Sequence, residues 1–282
     1  MTGMLKTTAL LGGLTALFMA AGYALGGESG MATAFAFSII MNIGSWFFSD
    51  KIVLALHRAK EVQEPEFPDL FATVKRLADR ARIPMPRIYL IESDTPNAFA
   101  TGRNPKHAVV AFNRGLIDRL RPEQISAVAA HELAHIKHRD ILISSIAACI
   151  AGAISMIAHT AQWAMMFGRR DDRDNNPIAV LATLIIIPIA ATLIQMAISR
   201  SREFEADRLG AIIHGNPLDL ASALASLHAI NDRAPLALPS PAMAHMYIVS
   251  PLSGRNLLRL FSTHPDVNER INRLQQMATA RG

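Results

Sequence analysis

Arg121-Pro-Glu-Gln-Ile-Ser-Ala-Val-Ala-Ala-His-Glu-Leu-Ala-His-Ile-Lys-His-Arg139 is the stretch from which the rest of the chain can be read. Pro122 suits the first turn of a helix, where its missing N–H costs nothing, and Glu123 suits the positive end of the helix dipole. No Gly or Pro follows before Arg139, and the Ala, Leu and Glu content favours a helix through the whole motif. Side chains four apart stand on one face, one turn apart, so the imidazoles of His131 and His135 can converge on a single ion. Glu132 is rotated by about 100° from His131, which lets it serve a water at that ion without being a ligand. This is the His-Glu-x-x-His spacing of zinc peptidases. The competing reading is a buried or helix-stabilising histidine pair. A third ligand decides between them, because catalytic zinc takes three protein ligands and keeps one position open.

Glu203 is the best candidate for that ligand. It begins Glu203-Phe-Glu-Ala-Asp207, which puts Asp207 one turn further along the same helix face. Glu203 can then bind zinc while Asp207 accepts a hydrogen bond from the outer nitrogen of a ligand imidazole, His131 being the natural partner. The rival, His138, stands about 10 Å along the helix axis from His131. Three ligands from one straight helix make a poor tetrahedron, so His138 reads as an exposed residue near the helix end, favoured by the dipole.

The surroundings of these motifs are strongly apolar. A hydrophobic fraction of 51% is high for a soluble enzyme and points to membrane segments. Runs at 5–26 and 31–48, parted by Gly26-Gly-Glu-Ser-Gly30, read as a transmembrane hairpin, with Asn42 as a tolerated amide near the bundle interior in preference to a contact with another helix, and Trp46 as an interfacial anchor. Asp50-Lys51 ends that membrane character. Runs at 141–167 and 177–199 are each long enough to span and are joined by a connector with three Arg and three Asp. His159, Gln162 and Gln195 in or near them read as helix contacts or interfacial residues, and Pro188 as a bend. Alternatively, these two runs form a hydrophobic hairpin buried against the catalytic part. Fifteen Lys and Arg lie between residues 50 and 140 and none at 27–30, which places 50–140 on the cytoplasmic side. The net charge of +5 is modest and spread among acids, which argues against nucleic-acid binding. The single cysteine, Cys149, lies in an apolar run and reads as packing.

Between the membrane segments, 66–83 has helical spacing ended by Pro84, and 86–92, 97–101 and 107–112 are β-leaning. They predict a small sheet of about three strands, antiparallel, with an edge able to pair with an extended peptide. A helical turn at 113–120 precedes the motif helix, an amphipathic helix spans 217–232, and a last helix starts at Pro265 or Asp266. The expectation is a mainly α integral membrane protein with four candidate transmembrane helices and an α+β catalytic domain. It divides into a hairpin (1–49), a cytoplasmic catalytic part (50–140), a second hydrophobic hairpin (141–199) and a helical part completing the zinc site (200–282).

Asn97-Ala-Phe-Ala-Thr-Gly102, His131-Glu-Leu-Ala-His135, Ser201-Arg-Glu-Phe-Glu-Ala-Asp207 and Ser262-Thr-His-Pro265 together resemble the HtpX family of membrane zinc metalloproteases, relatives of the CAAX prenyl-protein proteases. The resemblance covers nearly the whole chain. It implies a zincin-like (gluzincin) domain and a zinc endopeptidase of the bacterial inner membrane, multi-pass, with its active site facing the cytoplasm. Its role would be stress-related quality control of misfolded membrane proteins, so its partners are the lipid bilayer and protein substrates. It further implies His131, His135 and Glu203 as ligands of one Zn²⁺ and Glu132 as catalytic base. His264 would stabilise the transition state and Asn97 would contact the substrate backbone. Arg202 acquires no role. A prenyl-peptide protease using the same site and a catalytically inert membrane scaffold are the competing readings.

Overall fold

The computed structural model describes residues 2–147, 200–233, 246–249 and 265–280. In order, the elements are α1 (Thr2–Leu56), β1 (Lys60–Glu61), α2 (Pro68–Ala81), β2 (Arg87–Ile91) and β3 (Ala98–Thr101). After a 3-10 turn at Pro105–His107 come β4 (Val109–Asn113), α3 (Arg114–Arg119), α4 (Pro122–His138), α5 (Arg200–His214), α6 (Pro217–Arg233) and α7 (Val267–Thr279). Residues 141–147 are also helical. His159, Gln162, Pro188, Gln195, Cys149, His264 and most of the third and fourth apolar runs lie outside the described residues.

α1 is a hairpin, broken where Gly26 and Gly27 leave helical geometry, and Gly27 takes a left-handed φ of 59° that favours glycine. Its two arms meet through Asn42, whose Nδ2 donates to Thr15 Oγ1 at 3.0 Å, and through the edge-on rings of Phe18 and Phe37. Among the described residues one helix is long and apolar enough to cross a membrane, Gly26–Leu56, while the apolar part of the first arm, Thr7–Ala20, is shorter. The second arm continues past Asp50 and Lys51, where the membrane character was expected to end. Asp50 is turned to Arg87 at 3.6 Å and Lys51 lies over the Phe48 ring. The remaining turns of the helix dock Val53 and Leu54 against the sheet.

That sheet has four strands among the described residues, in the order β1-β2-β4-β3, and it is mixed rather than antiparallel. β4 lies between β2 and β3, parallel to the former and antiparallel to the latter. The antiparallel three-strand expectation fails because 92–97 carries the chain to the far edge. The β3–β4 hairpin, turning at Gly102 and at the Asn104-capped 3-10 turn, then inserts β4 into the gap. The two-residue β1 is too short to leave a pattern. Alternation along the strands buries both faces. Ile88, Leu90, Ala98, Ala100, Val110 and Phe112 pack with the α2 and α4 helices in one core. Ile91, Phe99, Val109 and Ala111 face the end of α1. α2 ends at Arg82, in a left-handed cap, just before Pro84.

Candidate metal centre

α4 is fixed before it reaches the histidines. Pro122 occupies its first turn and the Gln124 side chain accepts from the Arg121 N–H at 2.9 Å. Gln124 Nε2 also donates to Ser222 and Ser226 of α6. Beyond this, Ala127, Ala129, Ala130 and Ala134 are buried, and such small side chains let a neighbouring helix approach closely. α5 does so at Gly210, where an added Cβ would stand 2.9 Å from the His131 Cα and 3.0 Å from its nitrogen. That contact sets the register in which Glu203 and Asp207, one turn apart on α5, both face α4.

The three candidate ligands come together. Glu203 Oε2 lies 3.8 Å from His131 Nε2 and Glu203 Oε1 lies 3.6 Å from His135 Nε2. One ligand atom from each residue lies within 4.8 Å of the others. Bonds near 2.1 Å to a tetrahedral ion place ligand atoms about 3.4 Å apart, so the spacing fits. Two imidazoles and one carboxylate, with no sulfur, are also the donor set of a catalytic zinc. His138 is exposed and outside the cluster.

The outer nitrogen of His131 is oriented as the α5 spacing predicts, with Nδ1 3.0 Å from Asp207 Oδ1. Asp207 is in turn gripped by Arg270 of α7, whose Nε and Nη2 donate to its two oxygens at 2.7 Å each. Burial would raise the Asp207 pKa, but the Arg270 charge and hydrogen bonds outweigh it and hold the carboxyl near 2. Arg270 is 0% exposed and spends its Nη1 on the Ile248 carbonyl at 2.6 Å. Sequence reasoning missed Arg270. The available signal was its place within the apolar stripe Val267, Ile271, Leu274 and Met277 of the last helix.

Glu132 is buried beside the ligand set but outside it. Desolvation pushes its pKa up, while the two imidazoles and a hydrogen bond from the Ala100 main chain pull it down. It shares a cleft with Phe99, Ala100, Ile141, Met246 and Tyr247. β3, an edge strand among the described residues, forms one wall. Since the Asn113 N–H donates to the Asn97 carbonyl, alternation along the pair turns the main-chain groups of Ala98 and Ala100 outward. Met246, Tyr247 and Ile248 form the opposite wall. Asn97 clamps it: Nδ2 donates to the Met246 carbonyl at 3.3 Å and Oδ1 accepts from the Ile248 N–H at 3.1 Å. Asn97 is 2% exposed, so a substrate contact by Asn97 itself requires the 246–248 segment to shift. His264 precedes the described Pro265 directly, and Asp266 caps α7 by accepting from the Asn268 N–H.

The chain matches peptidase family M48 over residues 64–278. It is 52% identical over 276 residues to a protease HtpX homolog of Syntrophotalea carbinolica, covering 97% of this chain and 98% of that one. A protease HtpX homolog of Burkholderia ambifaria is 52% identical over 282 residues, covering 99% and 98%. The fold is similar to the crystal structure of S. mikatae Ste24p, with a TM-score of 0.54 at 19% identity; the match covers 97% of this chain and 65% of that one.

Two outcomes follow from the packing. Gly210→Ala should destabilise the protein by about 1–3 kcal/mol through overpacking and weaken metal binding, because α5 must retreat from His131; unchanged denaturation and metal affinity would contradict the register argument. Arg270→Met should cost about 3–5 kcal/mol by stranding a buried carboxylate. Arg208→Met, which loses an exposed pair with Glu205, should cost less than about 1 kcal/mol. Denaturant titration of the detergent-solubilised protein distinguishes the two.

Proposed function

Because this chain belongs to peptidase family M48 and is a metalloprotease, we propose that it is a membrane-embedded zinc endopeptidase. Its substrates are misfolded or damaged membrane proteins, cleaved at the cytoplasmic face of a bacterial inner membrane. The observation that carries this reading is the position of Glu132. It lines the same cleft as His131, His135 and Glu203 while remaining outside the ligand set.

His131, His135 and Glu203 would hold the ion, which when bound acidifies water and polarises the scissile carbonyl. Glu132 takes the proton of the attacking water and passes it to the leaving amine. Desolvation raises its pKa towards that task, and the Ala100 N–H aims its carboxylate across the cleft. An extended substrate pairs along β3 with the main chain of Ala98 and the carbonyl of Ala100, which are covered until the 246–248 wall gives way and which then hold one peptide bond over the donors. His264 is assigned the oxyanion, a contact that strengthens as charge develops. Asn97 serves the substrate backbone at the edge of the same cleft, by direct contact or through its clamp on 246–248.

The choice of membrane proteins as substrates rests on where the centre lies in the chain. α4 ends at His138 and the third apolar run begins at 141, so the centre stands at a membrane surface. Gly26–Leu56 is 11% buried over its most apolar window and exposes Phe35, Phe37, Ile40, Ile43 and Phe47, a face for lipid. With 141–167 and 177–199 as two further spans, four helices cross the bilayer. The basic 50–140 part then faces the cytoplasm.

Glu132→Gln should retain one zinc per chain and lose peptide cleavage by about 10²–10⁴-fold or more; full activity in that variant would sink the mechanism. In a Cys149→Ser background, a single cysteine placed at 168–176 should resist labelling by membrane-impermeant reagent from the cytoplasmic side. Ready labelling from that side would defeat the four-span arrangement.

A further inference from the structure

The two candidate ligand imidazoles are arranged alike. Each turns Nε2 towards Glu203. Each turns Nδ1 towards an aspartate: His131 to Asp207 at 3.0 Å, and His135 to Asp140 at 3.5 Å. The first aspartate is held by Arg270, and the second by Arg202, whose Nη1 donates to Asp140 Oδ1 at 3.3 Å.

Asp140 reaches His135 only because α4 stops where it does. Were the helix to continue, residue 140 would lie about 140° around the axis from residue 135, on another face. Instead Arg139 takes a left-handed φ of 61°, and the N–H groups of Arg139 and Asp140 bond back to the carbonyls of Ile136 and His135. The chain folds under its own last turn. Asp140 is left 6% exposed and its carbonyl receives the Ser144 N–H of the next helix. Arg202 arrives from the first turn of α5, one residue before the ligand Glu203.

We infer that Asp140 and Arg202 are positioning residues for His135, the counterpart of Asp207 and Arg270 for His131. His135 and Asp140 stand at ion-pair distance, 3.5 Å; on closing to a hydrogen bond the carboxylate accepts the Nδ1–H, which selects the tautomer whose Nε2 lone pair is free for a metal, fixes the ring plane and raises ligand basicity. The guanidinium keeps that carboxylate aimed, which a cap or surface ion pair alone would not require. The pair also joins the two ends of the apolar insert: Asp140 directly precedes the third run and Arg202 follows the fourth. Helix 141–147 is itself fastened to the edge strand by Ser145, which bonds Thr101 Oγ1 at 2.7 Å. The geometry of His135 is thereby tied to how the insert is seated. This inference rests on His131, His135 and Glu203 being the zinc ligands.

The test uses the full-length protein in detergent, with zinc affinity measured by competition against a chromophoric chelator and the visible spectrum recorded after cobalt substitution. Asp140→Asn should weaken zinc binding by about 10–100-fold and shift the cobalt bands. Arg202→Met should do the same to a smaller degree, Arg202→Lys should restore most of the affinity, and the double variant Asp140→Asn/Arg202→Met should be no worse than Asp140→Asn alone. If Asp140→Asn does not fold, the Arg202→Met and Arg202→Lys pair carries the test. Wild-type affinity and an unaltered cobalt spectrum in these variants would overturn the inference. So would an equal loss in Leu224→Ala, a core change in α6 that destabilises without touching the site. A wild-type protein that binds no zinc would overturn the ligand assignment itself, a result distinguishable from either.

Discussion

Arg270 is the interaction on which the catalytic half depends. From α7 it bonds both oxygens of Asp207 on α5 and the carbonyl of Ile248 in the cleft wall, and it stands 3.7 Å from Glu203. Through Ile248 and the Asn97 amide, the same network reaches the edge strand β3. Burying an arginine and a carboxylate is costly, and such a pair is weak evidence for stability in its own right. What it supplies here is position: three donors of one rigid planar group fix the partner of a candidate ligand and a wall of the cleft in a single frame.

The edge strand also joins this network to the apolar helices. The second arm of α1 continues past its charged residues until Val53 and Leu54 meet the outer face of the sheet, under Phe99 of β3. Helix 141–147 packs Leu142, Ile143 and Ile146 against Leu10 and Leu14 of the first arm. The edge strand is thus braced by the hairpin on one side and by the start of the insert on the other.

Local features of the centre were legible in the sequence because helical spacing encodes them. His131, Glu132 and His135 share one helix, and Glu203 and Asp207 share another, so intervals of one and four residues were enough to place each side chain relative to its neighbour. What joins distant segments was not legible. Asp207 and Arg270 are 63 residues apart, and a basic residue in a polar C-terminal helix reads as solvated unless its place in the apolar stripe is weighed. Asp140 escaped notice because its approach to His135 depends on a left-handed residue at Arg139, a position with no glycine to announce it. The sheet was foreseen as strands but not in their order, since insertion of β4 between β2 and β3 is a property of topology rather than of pattern.

X-ray absorption at the zinc edge of the purified protein tests the central claim most directly. Two imidazoles, one carboxylate and one further oxygen predict a four-coordinate shell of nitrogen and oxygen at about 2.0–2.1 Å, with the multiple-scattering signature of two histidine rings. Loss of one ring's signature in His135→Ala would follow. A sulfur neighbour at about 2.3 Å, or a shell without histidine scattering, would contradict the account.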